Sequence, residues 1–122
     1  MVLALALSSQ LFLFPIACAH YTRCWLRYPM GATYLTSTAY HITESDDWLL
    51  VDRAMSRACT ALVFYHCALR YRGTYALLQL NNVGACYTIS RILHHFGSEW
   101  WIMAHMYFHA WVAGTWLVAI HI

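Results

Sequence analysis

The stretch Trp100–His121, WWIMAHMYFHAWVAGTWLVAIH, decides the fold. It is the longest apolar run of the chain and holds no Asp, Glu, Lys or Arg. It also reaches the roughly 20 residues a helix needs to cross a bilayer. His105 and His109 interrupt it at i,i+4 spacing, which puts both rings on one helical face. Polar groups in such a run turn inward and find partners, because hydrocarbon offers none.

The rest of the chain has the same character. Its 122 residues are 61% apolar, 16% aromatic and 10% charged, with a mean hydropathy of +0.49. Soluble domains carry about 25% charged residues, and a water-soluble chain this small could not bury so much apolar surface. Lipid as solvent is the simpler account. The length fits one domain, residues 1–122. A net charge of +2 gives no reason to expect a nucleic-acid partner. All seven basic residues are arginine. Cys18, Cys24, Cys59, Cys67 and Cys86 form no CxxC pair, and four of them lie in apolar stretches as small core hydrophobes.

Four more spans precede the last one. Val2–Ala19 is interrupted by Ser8, Ser9 and Gln10 and is expected to kink at Pro15. It has the length of a signal sequence but lacks a basic n-region, so it reads as a retained span; four helices would remain without it. Pro29–Ile42 is short, with Pro29 suited to a first turn. An acidic turn of Glu44, Ser45, Asp46 and Asp47 follows, in which Ser45 or Asp46 is positioned to cap the next helix. Trp48–Leu69 carries Asp52, Arg53 and Arg57 and ends on Arg70 and Arg72, with Gly73 as a stop. Thr74–Ile92 holds Gln79, Asn81 and Asn82, and His94, His95, Gly97, Ser98 and Glu99 form the next turn. Trp48, Trp100 and Trp101 sit where interfacial aromatics are expected. Strand alternation is absent, and open strands are excluded from lipid. The expectation is an all-α, polytopic transmembrane bundle of about five helices, a multi-pass integral membrane protein with the bilayer as its partner. Arg23, Arg27, Arg70 and Arg72 then fall on one side, which places the N-terminus outside and the C-terminus in the cytosol.

Five polar side chains converge in this arrangement. Ser37 and His41 share a face of the second helix and lie near the acidic turn. Asp52 sits about as far beyond that turn, at about 1.5 Å per residue. His105 and His109 begin about one turn after Trp100, on the same side. Three imidazoles suit Zn2+, with an open fourth position for water. Asp52 would hold or deprotonate that water, and Ser37 would donate to the developing oxyanion. Taken singly, each residue also has a plainer reading. An HxxxH pair can serve packing, Ser37 can line a helix contact, and Asp52 can pair with Arg53 or Arg57. His94 and His95 read as solvated, and His20, His66 and His121 as interfacial. Two alternatives follow: a haem-binding membrane anchor using His66 and His109 or His20 and His121, and a non-catalytic subunit held by a membrane protein partner or as a homo-oligomer.

Thr36-Ser37-Thr38-Ala39-Tyr40-His41 resembles the SxxxH element of the membrane hydrolases that include alkaline ceramidases, adiponectin/progestin receptors and hemolysin III-type proteins. Asp52 matches that superfamily's third-helix aspartate, with a spacing from His41 nearest the ceramidase branch. His105-Met106-Tyr107-Phe108-His109-Ala110-Trp111-Val112-Ala113-Gly114 resembles the last-helix HxxFHxxxxAG pattern of the receptor branch. The resemblance covers roughly half of the chain. It implies a zinc-dependent amidase acting on a lipid substrate such as a ceramide. His41, His105 and His109 would be the zinc ligands, with Asp52 acting on the water and Ser37 supporting the site. It also implies seven helices, where this chain has room for about five.

Overall fold

The computed structural model describes residues 2–70 and 72–121. Among them the chain is all-α, with no strand. Five helices follow one another through short connections. The first, α1, runs over Leu3–Tyr21. It is α-helical over Leu3–Ser8 and Leu13–Tyr21, with a 3-10 stretch, Ser9–Phe12, between them. Pro15 causes that change, because it offers no N–H to the Leu11 carbonyl and its ring crowds that carbonyl. The turn before it therefore tightens. Ser8 and Ser9 assist, each donating its hydroxyl to the Leu5 carbonyl at 3.0 Å.

Helix α2 spans Arg27–Thr43, with Pro29 in its first turn. It stops at Glu44, whose φ of 52° is left-handed and whose N–H reaches the Tyr40 carbonyl at 2.7 Å. Helix α3 spans Asp46–Leu69. Ser45 occupies the N-cap position in an extended conformation, yet its side chain makes no cap hydrogen bond. Asp46 and Asp47 instead place negative charge on the first turn, where the helix dipole is positive. Helix α4 spans Gly73–His95 and α5 spans Trp100–His121. The last matches the expected stretch. Gly73 opens α4 rather than stopping the helix before it, and His94 and His95 close α4 rather than lying in the turn.

The helices form a closed ring. Each packs on its chain neighbours, α5 returns to α1, and α3 also touches α5 across the middle. Small residues permit close approach: Ala19 on α1 and Ala119 on α5 are both fully buried. Polar side chains tie neighbours together. Tyr34 donates to Gln10 Oε1 at 2.8 Å, and Trp111 Nε1 donates to Gln79 Oε1 at 2.8 Å. The five cysteines are unpaired.

Every helix also leaves large apolar side chains on the outside, among them Phe14, Leu35, Leu50, Leu78 and Tyr107. By length and composition, one stretch among the described residues, Leu3–Tyr21, is long and apolar enough to cross a membrane. The expectation of five such spans is not met on that measure. Helix α3 carries Asp46, Asp47, Asp52, Arg53 and Arg57, while α5 has no charge but has His105, His109 and His121 to lower its hydropathy.

The ring makes a packing prediction. Ala119→Leu forces a larger side chain into a filled contact and should destabilise the bundle by about 1–3 kcal/mol. Ala110→Leu, on the exposed face of the same helix, should change little. Thermal unfolding in detergent checks the pair.

Candidate metal centre

Antiparallel neighbours joined by short turns bring alternate helix ends together. The C-terminal turns of α2 and α4 therefore meet the N-terminal turns of α1, α3 and α5. This is why His41, near the end of α2, reaches His105 and His109, near the start of α5. Their ring centroids stand 5.3 Å (His41–His105), 5.2 Å (His41–His109) and 4.7 Å (His105–His109) apart. One nitrogen from each ring lies within 4.8 Å of the other two, close enough to hold a metal ion. His41 and His109 are buried, and His105 is partly buried.

Two serines fix how the rings present themselves. A hydroxyl has one proton to donate. Ser8 gives its proton to the Leu5 carbonyl, so at 2.7 Å it accepts from His109 Nδ1–H. Ser90 donates to the Trp101 carbonyl at 3.3 Å and so accepts from His105 Nδ1–H at 3.2 Å. With the serine protons on those carbonyls, both imidazoles carry their proton on Nδ1 and keep a lone pair on Nε2. A partner on the far nitrogen is what orients metal-binding histidines. The donor set therefore fits a divalent cation: three imidazoles, two of them turned and tautomerically set by neighbouring hydroxyls.

A cavity of about 730 Å³ opens beside the histidines and draws its walls from all five helices. Ligand sites commonly measure about 300–1,000 Å³. Ser37 and Asp52 line this cavity together with the three histidines. Ser37 is buried. Asp52 Oδ1 faces two hydroxyls rather than Arg53 or Arg57: Ser56 at 3.5 Å, and Thr36 at 3.3 Å, whose one proton is shared with the Thr33 carbonyl at 3.1 Å.

Other histidines go elsewhere. His66 is buried rather than interfacial, because the connection after α1 lays Trp25 over it at 5.8 Å between ring centroids. Its Nε2 has no hydrogen-bond partner. The haem pairing of His66 with His109 is not gathered here, since His109 joins His41 and His105. His20 and His121 are exposed. His94 is exposed, as expected, but also lines the cavity and meets Trp101 edge-on at 4.7 Å. Sequence reasoning treated Ser8 as an interruption of the first helix and passed over Ser90. The signal available for both was depth, because each lies about as far from its helix end as the histidines do from theirs.

No family model, curated protein or solved structure matches this chain.

The serine contacts are testable on metal binding alone. Ser8→Ala and Ser90→Ala should each weaken metal affinity about 10–100-fold while the fold persists. Competition with a chromophoric chelator measures this, and unchanged affinity in both variants would show that the hydroxyls do not orient the rings.

Proposed function

We propose that this chain is a multi-pass integral membrane hydrolase that cleaves a lipid amide with the help of zinc. The observation that carries the reading is the gathering of three imidazole nitrogens within 4.8 Å on the wall of a cavity that Asp52 and Ser37 also line. The membrane placement is supported by the large apolar side chains exposed on every helix. The resemblance of the SxxxH and HxxFHxxxxAG elements to ceramidase-like hydrolases supports the same chemistry.

His41, His105 and His109 would hold the ion. Bound zinc supplies a polarised carbonyl and a water acidified to a pKa of about 7. The chain's own residues do the rest. Asp52 takes a proton from water at Oδ2, since Thr36 and Ser56 both occupy Oδ1. It passes that proton to the amide nitrogen as the C–N bond breaks. Ser37 donates a hydrogen bond to the carbonyl oxygen as negative charge develops there. The products are a fatty acid and the amine of the head group. The 730 Å³ cavity has room for a lipid tail.

Two substitutions separate the roles. His105→Ala should reduce zinc in the purified protein to background. Asp52→Asn should keep the zinc but lower turnover of a fluorescent ceramide-type amide by about a hundredfold or more. Metal analysis and product chromatography read the two, and zinc content indifferent to His105 would end the proposal.

A further inference from the structure

The cavity wall changes character along the helix axes. Beside the histidines it shows Tyr40, Asp52, Arg53 and Arg91. Farther along the same helices it shows Phe64, Leu77, Val112 and Trp116. At about 1.5 Å per residue, Trp116 stands roughly 16 Å beyond His105. The cavity is thus itself amphipathic, with the charged groups and the imidazoles together at one end and an apolar wall at the other.

The charged end holds arginines as well as carboxylates. Arg53, Arg57 and Arg91 line the cavity, against the carboxylates of Glu44 and Asp52. Arg53 Nε is buried without a hydrogen-bond partner. Buried donors on a permanent cation normally have acceptors, so an orphan at a cavity wall points to an acceptor that arrives with a ligand. Arg91 follows Ser90, whose hydroxyl holds His105. Arg53 on α3 and Arg91 on α4 both line the histidine end of the cavity with Tyr40. An uncharged diol head would bring no charged acceptor to the unpartnered Arg53 Nε. A carboxylate or phosphate would give the arginines short, charge-assisted and bidentate bonds.

From this geometry we infer that the ligand is an N-acyl amphiphile with an anionic head. Arg53 and Arg91 hold its carboxylate or phosphate, the amide lies at the histidines, and the acyl chain runs toward Trp116. The inference rests on reading this cavity as the lipid-amide site and names the class of lipid it takes.

Binding to the full chain in a nonionic detergent tests it, with metal removed by chelation so that an anion cannot be held by an ion. Three probes share a dodecanoyl chain: N-dodecanoylglycine, N-dodecanoylphosphoethanolamine and uncharged N-dodecanoylethanolamine. Fluorescence of the wall tryptophans reports occupancy. At least one anionic probe should bind about tenfold tighter than the uncharged one, the scale of one or two charge-assisted hydrogen bonds. The tighter of the two anions identifies the head group. Arg53→Gln and Arg91→Gln should each remove most of that preference and leave affinity for the uncharged probe unchanged, which also shows that the variants are folded. Arg53→Lys, which keeps the charge without the fork, should retain part of it. Equal affinity for all three probes, or a preference that survives both glutamine substitutions, overturns the inference. Because the measurement is made without metal, a failure of the zinc reading leaves this result standing. Conversely, a zinc-binding protein indifferent to head-group charge would sink this inference alone.

Discussion

Imidazole rings that share a few ångströms of a mostly apolar bundle need partners for their nitrogens, and the rest of this structure follows from meeting that need. A buried polar group without a partner costs free energy comparable to a lost hydrogen bond. Ser8 and Ser90 satisfy one nitrogen each on His109 and His105. What remains is a set of nitrogens facing one another around a common point. The two serines come from α1 and α4, the histidines from α2 and α5. Helices far apart in the chain are therefore tied to one site by hydrogen bonds as well as by packing.

The tightened turn in α1 gains a purpose in this light. Pro15 and the back-bonding of Ser8 and Ser9 to Leu5 shape the first half of that helix. The same bond to Leu5 takes up the Ser8 proton and leaves its oxygen to accept from His109. Local backbone chemistry near the N-terminus thus sets the tautomer of a ring about a hundred residues away, a coupling visible only once α1 packs between α2 and α5.

Much of this was legible in the sequence, for a physical reason. Helical rise is nearly constant, so counting residues from a turn gives depth, and depth alone brought His41, Asp52, His105 and His109 to one end. Azimuth is another matter. Which way a lone serine faces depends on the helix beside it, and neither Ser8 nor Ser90 carries a periodic signal. His66 misled for a related reason. It stands near the end of α3, where exposure is the default, but Trp25 from a distant connection covers it. Gly73 misled because it lies at a helix boundary that can be read as an end or a beginning. The helices themselves were found within a few residues, since each is a long apolar stretch between charged or glycine-containing turns. Their relation to a membrane is harder to read from averages. A site built of histidines lowers the hydropathy of the very helix that carries it.

Parity explains how so short a chain can hold such a site. Asp52 lies near the start of α3 and His105 near the start of α5, so they share an end only if an odd number of helices separates them. Here the number is one, α4. Two helices could be added between them without moving either residue to the far side, whereas the loss of α4 would strand the histidine pair from His41. With a single helix intervening, α3 comes near enough to touch α5 directly, and the cavity keeps its walls. Closure on the other side falls to α1, which packs on both α2 and α5. Removing it would open the cavity between those helices and deprive His109 Nδ1 of the Ser8 oxygen in the same stroke. The first helix is thus part of both the wall and the chemistry, and five is the smallest ring in which every one of these contacts is made.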